Sequence, residues 1–484
     1  MHRELTTAQL DRACGVLLGT AAGDALGAGY EFGPPLPEAA PVEMKGGGGF
    51  AWEPGEWTDD TSMAVAIAEV AASGTDLRQE ATQDKVVARW LAWTMGAKDI
   101  GAQTARVLGE AGDGTAAQAR AAARELHERT GRTAGNGSLM RTAPVALAYL
   151  DNPDALTEAA TALSALTHYD PEAAEACVLW CHAIRHAVRT GDLDARAGLE
   201  HLPARSRGTW ERRLEEAERA RPADFTRNGW VVEALQAAWC AIATTPVPGD
   251  DPAGPTFRAD HLRLALEAAV RGGRDADTVA AIAGGLLGAA YGASAIPARW
   301  RRALHGWPGY HARDLVTLAA AIAAGAAAGG PAYGQLDRPA VTVAHPDDPG
   351  LLLADIAALR SLPPEVTAVV SLCRVGEQHA AAIGERDATW VEVRLADDDD
   401  PAENPNLDFV LLDTVTAIEE LRAAGHVVLV HCVAAYSRTP TIGALYAMRR
   451  TGAGPGEALS SVVAALPEAD PVDAFRAALR RFAP

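Results

Sequence analysis

From Asp84 to Ala328 the chain carries alanine, leucine and arginine at three-to-four spacing, with almost no alternating runs. Apolar residues recurring at that interval line one face of a helix, so this stretch is committed to packed helices. Ala13 to Leu26 extends the pattern upstream as a small-residue helix closing on Gly23-Asp24-Ala25-Leu26-Gly27. The nearest thing to a membrane span, Leu315 to Ala328, is short and dominated by weakly apolar alanine, and reads as a buried helix. A length of 484 residues favours two domains. Beyond Gly329-Gly330-Pro331 the texture changes. Gly334 to Pro339 and His345 to Gly350 read as connector, after which β-branched residues return. Val366–Leu372, Trp390–Leu395 and His426–His431 read as short strands with helices between them. The expected architecture is multidomain: an all-α domain over residues 1–334, then an α/β domain with a mostly parallel sheet over residues 335–484.

Composition narrows the partners. Lys plus Arg number 43 against 63 Asp plus Glu, a formal charge of −20, which argues against nucleic-acid binding by bulk charge. It leaves room for small phosphorylated ligands in a local pocket lined by positive charge or N–H groups. Six cysteines without regular spacing make no disulfide framework. The N-terminus, Met1-His2-Arg3-Glu4-Leu5, lacks a signal-peptide hydrophobic region. A cytoplasmic protein without a membrane partner is expected.

Two acidic clusters carry the first chemistry. Thr58, Asp59 and Asp60 stand in a row at the mouth of an apolar helix, and Asp275, Asp277 and Thr278 open another, Val279 to Tyr291. A helix start needs one capping oxygen, and adjacent carboxylates repel unless a positive group sits between them. Hard oxygen ligands of this kind suit Mg²⁺, Mn²⁺ or Ca²⁺, and two such clusters suit a pair of ions; the plainer reading is an acidic cap on each helix dipole. Glu31, in a Gly- and Pro-rich loop, is either a further ligand, an acid/base carboxylate, or a solvent-exposed glutamate. Lys45 to Phe50, with four glycines, is a lid or a connector. Thr133 to Arg141 sets glycines around Asn136, a loop that allows close approach to a phosphate or ribose, or simply turns the chain. His168 precedes another helix as a capping, packing or ligand-contacting residue. Cys177, Cys181, His182 and His186 share a helix on two neighbouring faces, which favours packing over zinc.

Gly-Asp-Ala-Leu-Gly at 23–27, Trp-Thr-Asp-Asp-Thr at 57–61, Gly-Asn-Gly-Ser at 135–138, Thr-His at 167–168 and Asp-Ala-Asp-Thr at 275–278 resemble, in that order, the ADP-ribosylglycohydrolases of the dinitrogenase-reductase-activating type. The resemblance covers roughly residues 10–330. It implies an all-helical fold holding two Mg²⁺ or Mn²⁺ ions, ligated by Thr58, Asp59, Asp60, Asp275, Asp277 and Thr278, with Glu31 beside them. It further implies that Asn136, Gly137, Ser138 and His168 contact ADP-ribose. The partners would be an ADP-ribosylated protein or small molecule. In such a site a metal-activated water attacks the anomeric carbon, and a carboxylate, here Glu31, assists departure of the attached group.

The C-terminal signal is the run Val427 to Pro440. A strand ends at Cys432, five residues intervene before Arg438, and a helix follows. Such a loop can wrap N–H groups and a helix N-terminus around a phosphate, with Arg438 as a bidentate clamp. The same positive field favours the Cys432 thiolate as nucleophile, and Thr439 can hydrogen-bond it as it leaves. The arrangement resembles the dual-specificity and tyrosine phosphatases over about residues 335–484. That resemblance implies phosphate-monoester hydrolysis without a cofactor, on a phosphorylated protein or small molecule, and a general-acid aspartate upstream. Asp397 is the best match by distance from its strand, among Asp397 to Asp400. Cys373, after Leu372, sits where a buried structural cysteine is common.

Three functions fit: a two-headed hydrolase, an ADP-ribose-binding module recruiting targets to a phosphatase, or two sites acting on one phosphorylated ADP-ribose metabolite.

Overall fold

The computed structural model describes residues 5–325, 339–386 and 388–483. The 334/335 boundary, the Gly329–Pro331 change of texture and the end of the Leu315–Ala328 run lie outside them.

The helical body is organised around two antiparallel helices. Thr7–Gly27 opens on a capping box between Thr6 and Gln9 and is buried over most of its length. It lies against Ala276–Tyr291, every residue of which is buried. Glycine at every fourth position brings the two backbones into contact. A Cβ on Gly19 would sit 2.2 Å from the Gly284 carbonyl oxygen, on Gly23 2.0 Å from that of Ala280, and on Gly27 2.3 Å from the Asp277 Cα. Nothing larger than glycine fits such an approach. One end of the pair therefore sets Asp24 beside Asp277. The other sets Asp11 against Gly292 and Ser294: Ser294 Oγ donates to Asp11 Oδ2 at 2.6 Å. Thirteen residues of helix place the two ends about 20 Å apart.

Helices Asp59–Ala72, Pro171–Thr190, Val231–Thr244 and Ala312–Ala324 pack around this pair. Trp180 donates to Ile282 O at 3.0 Å and Trp90 to Met63 O at 3.1 Å, so these buried indoles keep hydrogen-bond partners. Among the described residues, the expected all-α body is interrupted by isolated bridges and by a two-stranded ladder between His305–Gly306 and Tyr310–His311. Among the described residues, no helix is long and apolar enough to cross a membrane.

The C-terminal region holds a five-stranded sheet in the order 342–345, 348–355, 428–432, 368–371, 389–392. The first pair is antiparallel and the rest are parallel, as expected of a mostly parallel sheet. The strands at 368–371, 389–392 and 428–432 fall within or beside the expected ranges. The 342–355 hairpin corrects the connector reading of His345 to Gly350: Asp348 begins the eight-residue strand Asp348–Asp355, although proline and glycine follow it directly. That strand shows the period of two. Leu351 and Leu353 face the large core shared with the helical body. Leu352 and Ala354 face a smaller core with Leu359 and Ile383.

The large core is continuous between the two parts, with the rings of Phe257 and Phe409 5.9 Å apart. Around it, Asp413 accepts from Ala298 N at 3.1 Å and pairs with Arg301 at 3.3 Å, and Arg302 pairs with Glu420.

Candidate functional site

One end of the glycine-lined contact between the two central helices gathers carboxylates from segments far apart in the chain. Asp24, Asp60 and Asp277 each offer an oxygen within 4.8 Å of the others; Glu31, Asp275 and Asp277 form a second such group. Asp277 belongs to both. Asp24 accepts from Thr58 N and Thr61 N, each at 2.9 Å, and so caps the Asp59–Ala72 helix from outside it. Thr58 Oγ1 donates to Asp60 Oδ2 at 2.9 Å. Asp60 Oδ1 and Asp277 Oδ1 are buried with no hydrogen-bond partner.

Burial first, and the other carboxylates second, push Glu31 up to about 9 and Asp59 up to about 8. The same causes hold Asp60 and Asp277 well above the usual carboxylate range. Buried acids that repel, with oxygens aimed at nothing, are the pattern a divalent cation relieves, and an all-oxygen donor set suits a hard one. The residues fit the cation pair that the motifs imply.

Asp59 lies outside both groups; its Oδ2 is 3.4 Å from Gly101 N. Three contributors are missing from the motif reading. Asp24 lies within the Gly23–Gly27 motif without being marked as a ligand; an aspartate inside a small apolar helix is the signal that could find it. Half-buried Asp99 raises both Glu31 and Asp59. Asn228 donates to Gly273 O at 3.0 Å and orients the Asp275 turn; no sequence pattern marks it.

The backbone at this site is strained. Phe32 and Arg274 both have positive φ, 58° and 61°, and pair with each other's segment: Phe32 N donates to Arg274 O at 2.6 Å and Arg274 N to Gly33 O at 2.7 Å. This bridge ties Glu31 to Asp275. Strain held in place by the surrounding fold is common where a site needs an unusual geometry.

The Gly-Asn-Gly-Ser loop turns the Asn136 and Ser138 side chains inward. Asn136 Nδ2 donates to Asp275 Oδ2 at 2.7 Å and to Asn228 O at 2.9 Å, so it orients a carboxylate. Ser138 Oγ accepts from Ser164 Oγ at 3.0 Å deep among helices. Gly135 and Gly137 keep the half-exposed backbone, and a Cβ on Gly137 would meet the His168 ring at 3.0 Å.

Burial holds His168 neutral. Arg141 Nη2 donates to Thr167 Oγ1 at 2.6 Å, and that hydroxyl lies 2.8 Å from His168 Nδ1. Donating the Thr167 proton to Nδ1 leaves Nε2–H as the donor of the ring. Cys177 and Cys181 are packed in the core, and His182 stacks on His201 at 3.6 Å. Among the described residues neither belongs to a metal-binding group.

In the C-terminal region the strand Val428–Cys432 delivers Cys432, 1% exposed, to a loop ending at the N-terminus of the Arg438–Thr451 helix. Trp390 Nε1 donates to Ser371 Oγ at 2.9 Å, and Ser371 Oγ lies 2.7 Å from His431 Nε2. Burial pushes His431 down to about 3. The neutral ring then takes the Ser371 proton at Nε2 and carries its own at Nδ1, 3.4 Å from Cys432 O. Arg438 Nη1 donates to Leu372 O at 3.0 Å and Leu395 O at 3.1 Å, while its buried Nε has no hydrogen-bond partner.

Asp397 Oδ2 lies 3.5 Å from that Nε. Asp398, Asp399 and Asp400 instead accept from Asp400 N, Ala474 N and Ala402 N, so Asp397 is the member of the run that meets Arg438. Thr439 Oγ1 donates to Ala354 O at 3.3 Å; its proton is engaged with the strand rather than with Cys432. Cys373 is buried, and burial pushes its thiol up to about 12.

Ala435, within the loop, has φ 55°. A Cβ in the left-handed region costs roughly 1–2 kcal/mol, part of which glycine would return as unfolded-state entropy. Ala435→Gly is therefore expected to raise stability by about 0.5–1 kcal/mol in chemical denaturation, and a loss of stability would contradict the strained-loop account.

The all-oxygen donor set is one that could hold divalent cations. More narrowly, the chain belongs to the ADP-ribosylglycohydrolase family, whose model matches residues 5–332. The ADP-ribosylarginine hydrolase Tri1 of Pseudomonas putida (strain GB-1) is 32% identical over 297 residues, 60% of this chain and 73% of its own length. The ADP-ribosyl-[dinitrogen reductase] glycohydrolase of Rhodospirillum rubrum is 31% identical over 305 residues, 60% of this chain and 89% of its own. The solved structure of human DUSP28 covers 30% of this chain and 94% of its own, at 26% identity and a TM-score of 0.26.

Proposed function

We propose that the helical body hydrolyses the N-glycosidic bond of ADP-ribosylated arginine, free or in a protein, using two Mg²⁺ or Mn²⁺ ions. The observation that carries this reading is Asp277, one buried carboxylate common to two oxygen groups, with an unpartnered oxygen. The names of the relatives from Pseudomonas putida and Rhodospirillum rubrum support the substrate class. Asp24, Asp60, Glu31, Asp275 and Asp277 would hold the cations, with Thr58, Asp59 and Thr278 beside them. When bound, the cations supply charge that orients the ribose hydroxyls and activates water.

The protein's own residues do the rest. Asn136 and Asn228 fix the Asp275 turn. Gly135 and Gly137 let the loop backbone approach the ligand closely, and His168 Nε2–H donates to it. Glu31, half-exposed at the rim, is placed to move a proton to the departing guanidine nitrogen.

We further propose that the C-terminal region hydrolyses phosphate monoesters, with Cys432 as nucleophile and Asp397 as proton donor. The observation favouring it is Arg438: two carbonyls anchor Nη1, and the buried Nε makes no hydrogen bond, with Asp397 3.5 Å away, which leaves the guanidinium edge for a phosphate. The two-part chain would then sit at residues 1–334 and 335–484.

The test measures ADP-ribose release from ADP-ribosylated arginine with and without Mg²⁺, in wild type and Asp59→Ala. Release is expected to need the cation. Because Asp59 lies beside the two groups, the variant is expected to lose about tenfold or more. Release indifferent to both changes would reject the cation-dependent reading.

A further inference from the structure

We propose that Asp11, in the helical body, is a positioning residue for the C-terminal phosphoryl-transfer site; the proposal rests on the phosphatase reading above. The segment from Arg394 to Asn406 carries Asp397, and one patch of the helical body holds both of its roots. At the first root, Arg394 Nε lies 2.6 Å from Asp11 Oδ1, with Asp11 only 6% exposed. At the second, Asn406 Nδ2 donates to Tyr291 O at 2.6 Å and to Ser294 Oγ at 2.9 Å. Ser294 in turn donates to Asp11 through both its hydroxyl, at 2.6 Å, and its N–H, at 3.2 Å. Between the roots, Asn404 closes the segment on itself: it accepts from Ala396 N at 2.8 Å and donates to Ala396 O at 3.0 Å.

The hold extends to the reacting groups. Leu395, next to Arg394, supplies one of the two carbonyls that anchor Arg438 Nη1, and Asp397 is two residues further on. A largely buried charge pair at this distance favours one arrangement of its partners, because breaking it costs each charge a close counter-charge. The helical body therefore sets where Asp397 stands relative to Arg438, and the acid segment is incomplete without it.

The chemistry defines what this positioning affects. The Cys432 sulfur forms a bond to phosphorus as the P–O bond to the leaving group breaks. The electron pair of that bond goes to the leaving oxygen, which takes the Asp397 carboxyl proton. Water then attacks phosphorus, returns the electron pair of the S–P bond to sulfur, and gives its proton to the Asp397 carboxylate. A leaving oxygen that is a strong base needs the proton of the first step; a weakly basic one does not.

The experiment uses the full chain carrying Asp11→Asn and compares phenyl phosphate with 2,4-dinitrophenyl phosphate. The kcat for phenyl phosphate is expected to fall about tenfold or more, while that for the dinitrophenyl ester changes less than about twofold and both KM values hold. Release of ADP-ribose from ADP-ribosylated arginine should persist, which reports an intact body. If that release is lost, Asn406→Ala, which cuts only the second root, takes the same comparison. Equal loss on both esters, or no loss on either, overturns the positioning role while Cys432-dependent turnover keeps the phosphatase reading. Wild-type turnover that does not need Cys432 overturns both.

Discussion

Asp277→Asn is expected to abolish cation-dependent ADP-ribose release and, in the same protein, to raise the melting temperature of the cation-free form. The two effects have opposite signs because the carboxylate has opposite roles with and without a counter-charge. Without a cation, Asp277 is 2% exposed and faces Asp60, Glu31, Asp275 and Asp24, each of which works against its ionisation. Asparagine has nearly the same volume, so the change leaves no cavity, and its amide can donate to a neighbouring carboxylate. Relief on the order of 1 kcal/mol corresponds to a rise of about 2 °C in a body of this size.

With a cation, the balance reverses. A ligand at a hundredfold excess over its Kd stabilises the folded state by about 2.7 kcal/mol, and wild type should show that shift on adding Mg²⁺ or Mn²⁺. The variant lacks the one carboxylate common to both groups and is expected to lose the shift together with activity. Calorimetry with and without cation reads both signs at once. A variant that keeps the cation shift and its turnover would remove Asp277 from the centre.

The elements that sequence made legible are those whose signal is local. The acidic caps at Asp60 and Asp277, the strand ending at Cys432 and the small-residue helix around Gly19 all appear where composition placed them. Asp24 was harder to assign. Its function depends on the Gly27–Asp277 backbone contact, which joins positions some 250 residues apart in the chain and cannot be read from either alone.

Asn136 illustrates a different limit. The glycines around it mark a loop, but whether its amide faces a ligand or a carboxylate depends on where Asp275 and Asn228 lie. The 342–355 hairpin was obscured by its own turn residues: His345-Pro346-Asp347-Asp348-Pro349-Gly350 punctuates like a linker, yet Tyr446 and Arg422 bind the Asp348 carboxylate at 2.7 and 2.8 Å and bury it within a strand. The pairing of Asp11 with Arg394 carries no local signal at all, since each residue alone is an ordinary charge on an amphipathic segment.

Cys432→Ser is expected to bring aryl-phosphate turnover down to background, a fall of roughly four to six orders of magnitude, with ADP-ribose release untouched. Serine keeps the shape of the loop, so the loss would report the nucleophile rather than the fold: a hydroxyl is a far weaker nucleophile than a thiolate, and no neighbouring base replaces that difference. His431, buried and neutral, holds the Cys432 backbone through Nδ1 and has Nε2 engaged with Ser371, so neither ring nitrogen is free to activate serine.

Arg438→Lys separates charge from geometry. Lysine retains the positive charge, but a single ammonium cannot donate to Leu372 O and Leu395 O and also present a flat edge to two phosphoryl oxygens. A fall in kcat of about 10²–10³ is expected, comparable to losing one preorganised donor at a developing negative charge. Phosphate release from a generic aryl ester measures both variants. Undiminished turnover in Cys432→Ser would remove the thiol from the chemistry. Full activity in Arg438→Lys would mean that the loop binds its phosphate through charge and backbone N–H groups alone, with the guanidinium serving only to tie the Leu372 and Leu395 segments together.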